Sequence, residues 1–323
     1  MRTAMSVGSL ALAAVVLSGS LVPAPAVAEA ARNAPDPTLT ASPSPTPTPT
    51  VNDALSGVYV RTIRYGRHPR QRMDVWQRRD GLARPAVFII HGGWWSSGDK
   101  RNMNSIVRGY AELGYTVFNI NYRWSQDAPW PAQRVDALDA IFTARRHARL
   151  FGFDPNRYGI VGFSAGGHIA AAVGTYRNGI PGLRAVVGVS PVISPMTAFV
   201  DGDLGASREQ QRLRKAAVAL AGNCLPTQAR CAKVWSSMEV PWHASRGDAP
   251  MLTVHSQDEF VPPYHSELLK EQLGRARVAM NIRVLPGFQH SAALYREPGV
   301  AEGIQQWLAG RLGPVPGGQV SPQ

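Results

Sequence analysis

An α/β fold, a mostly parallel sheet covered by helices, is the architecture that three features of this sequence predict. Between about residues 55 and 312, short apolar runs alternate with longer amphipathic ones, the pattern of strands buried on both faces and joined by helices. Several of those runs end directly in polar or Gly-rich residues, and the carboxyl ends of parallel strands are where ligand-binding loops converge. The chain has 323 residues, 44% of them apolar and 17% charged, which is enough to bury a sizeable core and excludes a wholly disordered, collagen-like or coiled-coil chain.

Before the fold begins, Met1-Arg2, an apolar run over 7–22 and the A-x-A sequence Ala26-Val27-Ala28 predict a secretory signal peptide over residues 1–28. The run falls short of the ~20 apolar residues that a span requires, so no stable membrane span is expected after cleavage. Residues 29–54, with six prolines between Pro35 and Thr50, have nothing to bury and read as an unstructured linker. The catalytic domain is expected over 55–312 and a fraying tail over 313–323. Basic residues outnumber acidic ones 34 to 22, and only Lys100, Lys215, Lys233 and Lys270 are not arginine. The arginines are spread along the chain. Their one dense cluster, Arg61, Arg64, Arg67, Arg70 and Arg72, alternates with strand-like residues and is expected on a solvated hairpin face, so no nucleic-acid partner is predicted.

Strands are predicted at 86–90, 115–121, 158–161, 185–189, 251–255 and 281–285. A helix over 130–150 carries Val135, Leu138, Ile141, Phe142 and Ala148 at roughly helical spacing, and Asp154-Pro155 breaks the chain before the next strand. The roughly sixty residues between the strands at 185–189 and 251–255 are too many for a plain crossover and predict a small helical cap at about 192–249. Within it, Ser207 to Gln210 reads as a capping box, Leu213, Ala217 and Leu220 share a face, and Gly222 ends the helix. The only two cysteines, Cys224 and Cys231, are expected to pair in an exported chain. Closing so short a loop contributes about 2.5 kcal/mol. Two thiols without flanking histidines make a poor metal site, and no metal is expected.

The chemistry is sought at the strand ends. Gly162-Phe163-Ser164-Ala165-Gly166 fits G-x-S-x-G, with a strand before it and a small, helix-compatible run after it, which is the setting of a nucleophile elbow. A serine needs a base, and the base needs an acid. His290, on a loop after the last strand, is the predicted base. Asp258, three residues after the strand at 251–255, is the predicted acid, with the adjacent Glu259 as the alternative. Backbone N–H groups of Gly93, Trp94 and Ala165 are the predicted oxyanion donors. His91 is expected to anchor the loop by hydrogen bonds rather than to catalyse. Trp95, Phe163 and Trp242 are candidates for the substrate pocket, as are Met196, Phe199, Trp235 and Met238 in the cap.

The segments HGGWWSSGDK (91–100), YRWSQDAPWPAQ (122–133), GFDPNRYGIVGFSAGGHIA (152–170), HSQDEFVP (255–262) and PGFQHS (286–291) together resemble the α/β-hydrolase superfamily. The resemblance is to its serine esterase/lipase group, which includes hormone-sensitive-lipase-like and bacterial carboxylesterase enzymes. It implies an eight-stranded, mostly parallel sheet, no cofactor, and a Ser-His-Asp hydrolase of carboxylic esters, with Ser164 as nucleophile, Asp258 as acid and His290 as base. The sequence HGGW, where the lipase-like branch has HGGG, is closer to the branch with feruloyl-type esterases; His255-Ser256 replaces the common His-Gly. The expected partner is a small-molecule or polysaccharide-linked ester outside the cell. The alternatives are an amide hydrolase, peptidase or formamidase-like, of the same fold, and a non-catalytic binding protein that keeps it.

Overall fold

The computed structural model describes residues 57–316. The predicted signal peptide, all of the predicted linker and the chain beyond 316 lie outside the described residues. Among the described residues, eight strands form one sheet: β1 (Val58–Arg64), β2 (Arg72–Arg78), β3 (Arg84–Ile90), β4 (Thr116–Ile120), β5 (Phe153–Phe163), β6 (Leu183–Val189), β7 (Met251–Ser256) and β8 (Met280–Leu285). Their spatial order is β1-β2-β4-β3-β5-β6-β7-β8. β2 runs antiparallel to both β1 and β4; every other pairing is parallel. The helices are α1 (Asn104–Glu112), α2 (Ala132–Arg146), α3 (Ala165–Gly174), α4 (Pro195–Asp201), α5 (Arg208–Leu220), α6 (Ala232–Met238), α7 (Tyr264–Arg275), α8 (Ala292–Tyr295) and α9 (Val300–Leu312).

Both faces of the sheet are covered, and the central strand shows why its sequence is apolar throughout. All seven residues of β3 are buried. Ala86, Phe88 and Ile90 join the core beneath α2, α3 and the cap, whereas Val87 and Ile89 join the one beneath α1 and α9. Successive side chains of a strand point to opposite faces, so a strand covered twice has no polar positions to alternate. Burying each such Ile or Phe contributes about 1.5–3 kcal/mol. After β3 the chain crosses outward to β4 and then back past β3 to β5. The carboxyl ends of β3 and β5 therefore flank a point where the winding reverses, the place where ligand sites form in open α/β sheets.

Four local differences from the sequence-based expectations have physical causes. β5 begins at Phe153 and passes through Asp154-Pro155, because Phe153 pairs with Arg84 and the proline falls where the register shifts. On α2, Val135 and Phe142 face solvent while Ala137, Leu138, Ala140, Ile141 and Ala144 pack inward, a stripe set by small residues at helical spacing. The arginine cluster is not uniformly solvated. Arg64 and Arg67 are exposed, but Arg61 is half-buried, donates to the Leu150 carbonyl at 2.9 Å and lies over Phe151, and Arg70 reaches inward. Residues 313–316, placed in a fraying tail, are held instead: Arg157 donates to the Pro314 carbonyl at 3.2 Å and Arg84 to that of Pro316 at 3.4 Å.

Between β6 and β7 the chain is helical, with α4, α5 and α6 forming a cap. Ser207 and Gln210 make the reciprocal capping box at the start of α5, and Leu213, Ala217 and Leu220 are buried along one side. Cys224 and Cys231 form a disulfide with Cα atoms 5.6 Å apart. No helix among the described residues is long and apolar enough to cross a membrane.

Candidate active site

Ser164 sits between β5 and α3 with φ 51° and ψ −117°, a left-handed conformation that costs a residue with a side chain roughly 1–3 kcal/mol and persists only where surrounding structure enforces it. Enforcement comes from both sides. The Ser164 N–H donates to the Val189 carbonyl at 2.9 Å, and its own carbonyl accepts from Gly167 and His168 in the first turn of α3. The turn is too tight for side chains at its ends: a Cβ on Gly162 would meet the Gly166 carbonyl oxygen at 2.2 Å, and one on Gly166 would meet that of Ile90 at 2.3 Å. Although Ser164 occupies the N-cap position, its side chain makes no capping hydrogen bond. The hydroxyl is thus left unspent at the positive end of α3.

The loop after β3 lies against this turn. A Cβ on Gly92 would stand 3.2 Å from that of Ser164. Trp94 and Trp95 follow at φ 57° and 56°, two successive aromatic residues in a conformation that normally favours glycine. The backbone N–H groups of Gly93, Trp94 and Ala165 find no acceptor among the described residues. The loop is tied down by its flanks. His91 is buried, stacks on Tyr122 with ring centres 4.5 Å apart, and has Nδ1 2.7 Å from the Gly92 carbonyl. Burial pushes its pKa down to about 4, so the ring is neutral near pH 7.

Arg70 completes the anchorage. Its guanidinium lies 3.8 Å over the Trp124 ring, donates to the carbonyls of Tyr122 at 2.8 Å and Gly98 at 3.0 Å, and approaches His91 Nε2 at 3.4 Å. One planar fork thereby joins the β1–β2 hairpin to both ends of the loop. Arg70→Ala is expected to loosen this loop, read as faster amide hydrogen exchange over residues 91–99 with an unchanged far-UV circular dichroism spectrum.

The carboxylate that faces His290 is Glu259, not Asp258. Glu259 Oε2 is 2.5 Å from His290 Nδ1, and Oε1 accepts from the Ser256 N–H at 3.1 Å and lies 3.2 Å from His255 Nδ1. Asp258 is exposed. Its N–H bonds to the Gly287 carbonyl at 2.9 Å, so the turn after β7 places the next side chain, one residue later than predicted, inward. Burial alone would raise the Glu259 carboxyl. Hydrogen bonds from His255 and His290, and their charge when protonated, outweigh it and hold the carboxyl below its usual value. Here it remains ionised through mildly acidic pH.

Two serines hold the histidine loop. The Ser291 N–H donates to Ser190 Oγ at 2.9 Å, and Ser256 Oγ donates to the Gln289 carbonyl at 2.6 Å. Because Ser190 directly follows Val189, whose carbonyl accepts from Ser164, the end of β6 ties the histidine loop beside the elbow. An aromatic stack closes the ring of contacts: Phe260 is 4.2 Å from the His290 ring and 5.3 Å from Trp94. Sequence reasoning did not single out Phe260, Arg70, Ser190 or Ser256 for these positions. Ser256 and Phe260 lie within the segment HSQDEFVP, whereas Arg70 and Ser190 belong to no motif.

The predicted pocket residues do not assemble. Trp95 is fully buried and donates its indole N–H to His168 Nδ1 at 3.2 Å, while His168 Nε2 lies 2.8 Å from the Met238 carbonyl in the cap. Burial lowers the His168 pKa to about 4, leaving a neutral ring that accepts from one side and donates to the other. Phe163 packs against Tyr295 in the core on the opposite face of the sheet. Trp242 is 59% exposed on the cap. Trp235 and Met238 are cap core, and Met196 and Phe199 are half-buried. A cavity of about 610 Å³ between α4 and α5, lined by Phe199, Leu204 and Leu225 with others, contains neither Ser164 nor His290. Among the described residues, no three or more His, Cys, Asp or Glu side chains are grouped to hold a metal ion.

The architecture has close counterparts. A truncated carbohydrate esterase from gut microbiota superimposes with a TM-score of 0.67 over 80% of this chain and 98% of that one, at 21% identity, a likeness of fold. By sequence the chain is 29% identical over 262 residues to a probable carboxylic ester hydrolase, LipM, of Mycobacterium tuberculosis, covering 76% of this chain and 60% of that protein. It is 36% identical over 129 residues to the esterase LipC of the same organism, covering 38% of this chain and 31% of LipC. The chain thus spans less than two thirds of the length of either relative. The BD-FAE family model matches residues 73–273, from β2 through the elbow, the cap and the acid turn into α7. With that match across the elements that build the site, on an eight-stranded, mostly parallel sheet, the chain belongs to the BD-FAE family of α/β-hydrolases.

Proposed function

We propose that this protein is an exported carboxylic ester hydrolase working through an acyl-enzyme on Ser164. The observation that carries the reading is a strained elbow serine whose neighbouring strand end also ties down the loop of a histidine held at Nδ1 by a buried carboxylate. Glu259 accepts the Nδ1 proton of His290, which fixes the tautomer with a free lone pair on Nε2. Nε2 takes the Ser164 proton as Oγ attacks the ester carbonyl. The N–H groups of Gly93, Trp94 and Ala165 receive the developing oxyanion without reorganising. The imidazolium, stabilised by Glu259, then protonates the leaving alcohol, and water activated by the same nitrogen releases the acid. Relatives named as a carboxylic ester hydrolase and an esterase support the reaction class. The predicted signal sequence and the Cys224–Cys231 disulfide support export to an oxidising compartment.

Hydrolysis of 4-nitrophenyl esters from acetate to palmitate, combined with covalent labelling, tests the proposal. Diethyl 4-nitrophenyl phosphate is expected to release one equivalent of 4-nitrophenolate per chain as its phosphoryl group bonds to Ser164 Oγ. Mass spectrometry should find a single diethylphosphoryl group on the peptide containing Ser164, with turnover lost in parallel. Retained turnover after full labelling, or a label elsewhere that tracks the inhibition, would overturn it.

A further inference from the structure

We propose that Arg212 is a specificity-determining residue that directs the site toward esters bearing a carboxylate. The inference rests on the reading above for where the reacting carbonyl lies, and goes beyond it in naming the substrate's charge. Arg212 stands on α5, next to the residues that bury that helix in the cap. Its guanidinium carbon lies 4.6 Å from the centre of the Trp94 ring. Trp94 stacks on Phe260 with 17° between the ring planes, and Phe260 in turn lies against His290. A cation, two stacked aromatic rings and the tilted ring of the proposed base therefore form one line of contacts from the cap to His290. Trp94 also supplies one of the N–H groups assigned to the oxyanion, so a substrate held there has its nearest bonds beside the ring on which Arg212 rests.

The guanidinium has no competing task. Arg212 makes no hydrogen bond or ion pair among the described residues, and its only contact of note is the tryptophan face. Glu209, three residues earlier on the same helix, and Asp258 are both exposed. Arg212 is exposed, so the N–H groups that the ring does not cover are open to a ligand. A planar guanidinium can donate two parallel hydrogen bonds to a carboxylate, whose geometry it matches. The pairing would be partly exposed and hence modest and salt-sensitive.

Matched substrates provide the test. The carboxylate is placed on the acyl side in 4-nitrophenyl hemiglutarate, compared with 4-nitrophenyl valerate, and on the alcohol side in 4-acetoxybenzoate, compared with 4-acetoxytoluene. Arg212→Gln is expected to lower kcat/KM about fivefold for the charged member of one pair and less than twofold for either neutral ester, with the difference shrinking as NaCl rises to about 0.5 M. The pair that responds identifies which side of the ester carries the charge. Binding of glutarate and of 4-hydroxybenzoate, followed by tryptophan fluorescence, should weaken in the variant for the same side, a readout that needs no turnover. Equal ratios in wild type and variant for both pairs, with unchanged binding of both acids, would overturn the role of Arg212. Ser164→Ala distinguishes this from failure of the catalytic reading, since it should abolish turnover of the neutral esters whatever Arg212 does.

Discussion

Glu259→Gln is expected to lower kcat for 4-nitrophenyl acetate by about 10⁴-fold, whereas Asp258→Asn leaves it within about twofold. The size of the loss follows from which oxygen faces which partner. Oε1 must accept the Ser256 N–H and faces His255, while Oε2 faces His290. A glutamine in this site keeps its carbonyl oxygen on Ser256, because an N–H opposite an N–H would be unsatisfied in a buried turn. Its amide nitrogen then points at His290 Nδ1 and donates to it. The proton of the neutral ring moves to Nε2, and the nitrogen that should take the serine proton has none of its lone pair to offer. A tautomer inversion of this kind leaves the fold intact, so the melting temperature should change far less than the rate. Asp258 is exposed and bonds through its backbone alone. The opposite result, activity lost with Asp258→Asn and kept with Glu259→Gln, would return the acid to the position expected from sequence.

That Glu259 rather than Asp258 faces His290 shows where the sequence was legible and where it was not. Strand positions such as Phe88, Val161 and Val187 were readable because burial on both faces demands an unbroken apolar run. Ser164 and the loop at Gly92-Gly93 were readable because a strained turn and a close backbone approach exclude most side chains, so the chemistry leaves a short local pattern. The choice between Asp258 and Glu259 depends instead on a hydrogen bond from the Asp258 N–H to the carbonyl of Gly287, far along the chain, which sets the rotation of the turn. No local pattern encodes that contact. Two of the pocket candidates lie in the core for a related reason. An aromatic residue beside a catalytic motif is equally suited to packing and to lining, and Trp95 and Phe163 are both consumed by core contacts, with His168 and Tyr295. Arg70 was counted in a solvated cluster because spacing reports the face of a strand, not the reach of a long side chain beyond its end.

The stability of the cap should depend on pH in a direction opposite to that of the core, and Glu239→Gln should expose the difference. Glu239 is buried where the cap meets the end of β6: Oε2 accepts from Ser194 Oγ at 2.6 Å and Oε1 from the Met196 N–H at 2.7 Å. Its neighbour Met238 offers its carbonyl to His168 on α3, so this short segment fastens the cap to the elbow helix. Burial raises the Glu239 pKa from 4.5 to about 7, against the lowering effect of those two donors. An acid held more tightly protonated in the folded state contributes stability that is present below pH 4.5 and lost as pH rises through about 7. The neutral histidines His91 and His168, both lowered to about 4, behave in the opposite sense: their contribution is complete above pH 6.5 and lost as pH falls through 4. Glutamine mimics the protonated carboxyl, keeping an acceptor for Met196 and a donor toward Ser194. In urea unfolding, the variant should match wild type near pH 4.5 and exceed it at pH 8 by up to about 3 kcal/mol. The acid limb set by the histidines should persist in both. A gap between the two proteins that stays constant across this range, or a variant weaker than wild type at pH 8, would mean that Glu239 is ionised throughout and that its two hydrogen bonds outweigh its burial.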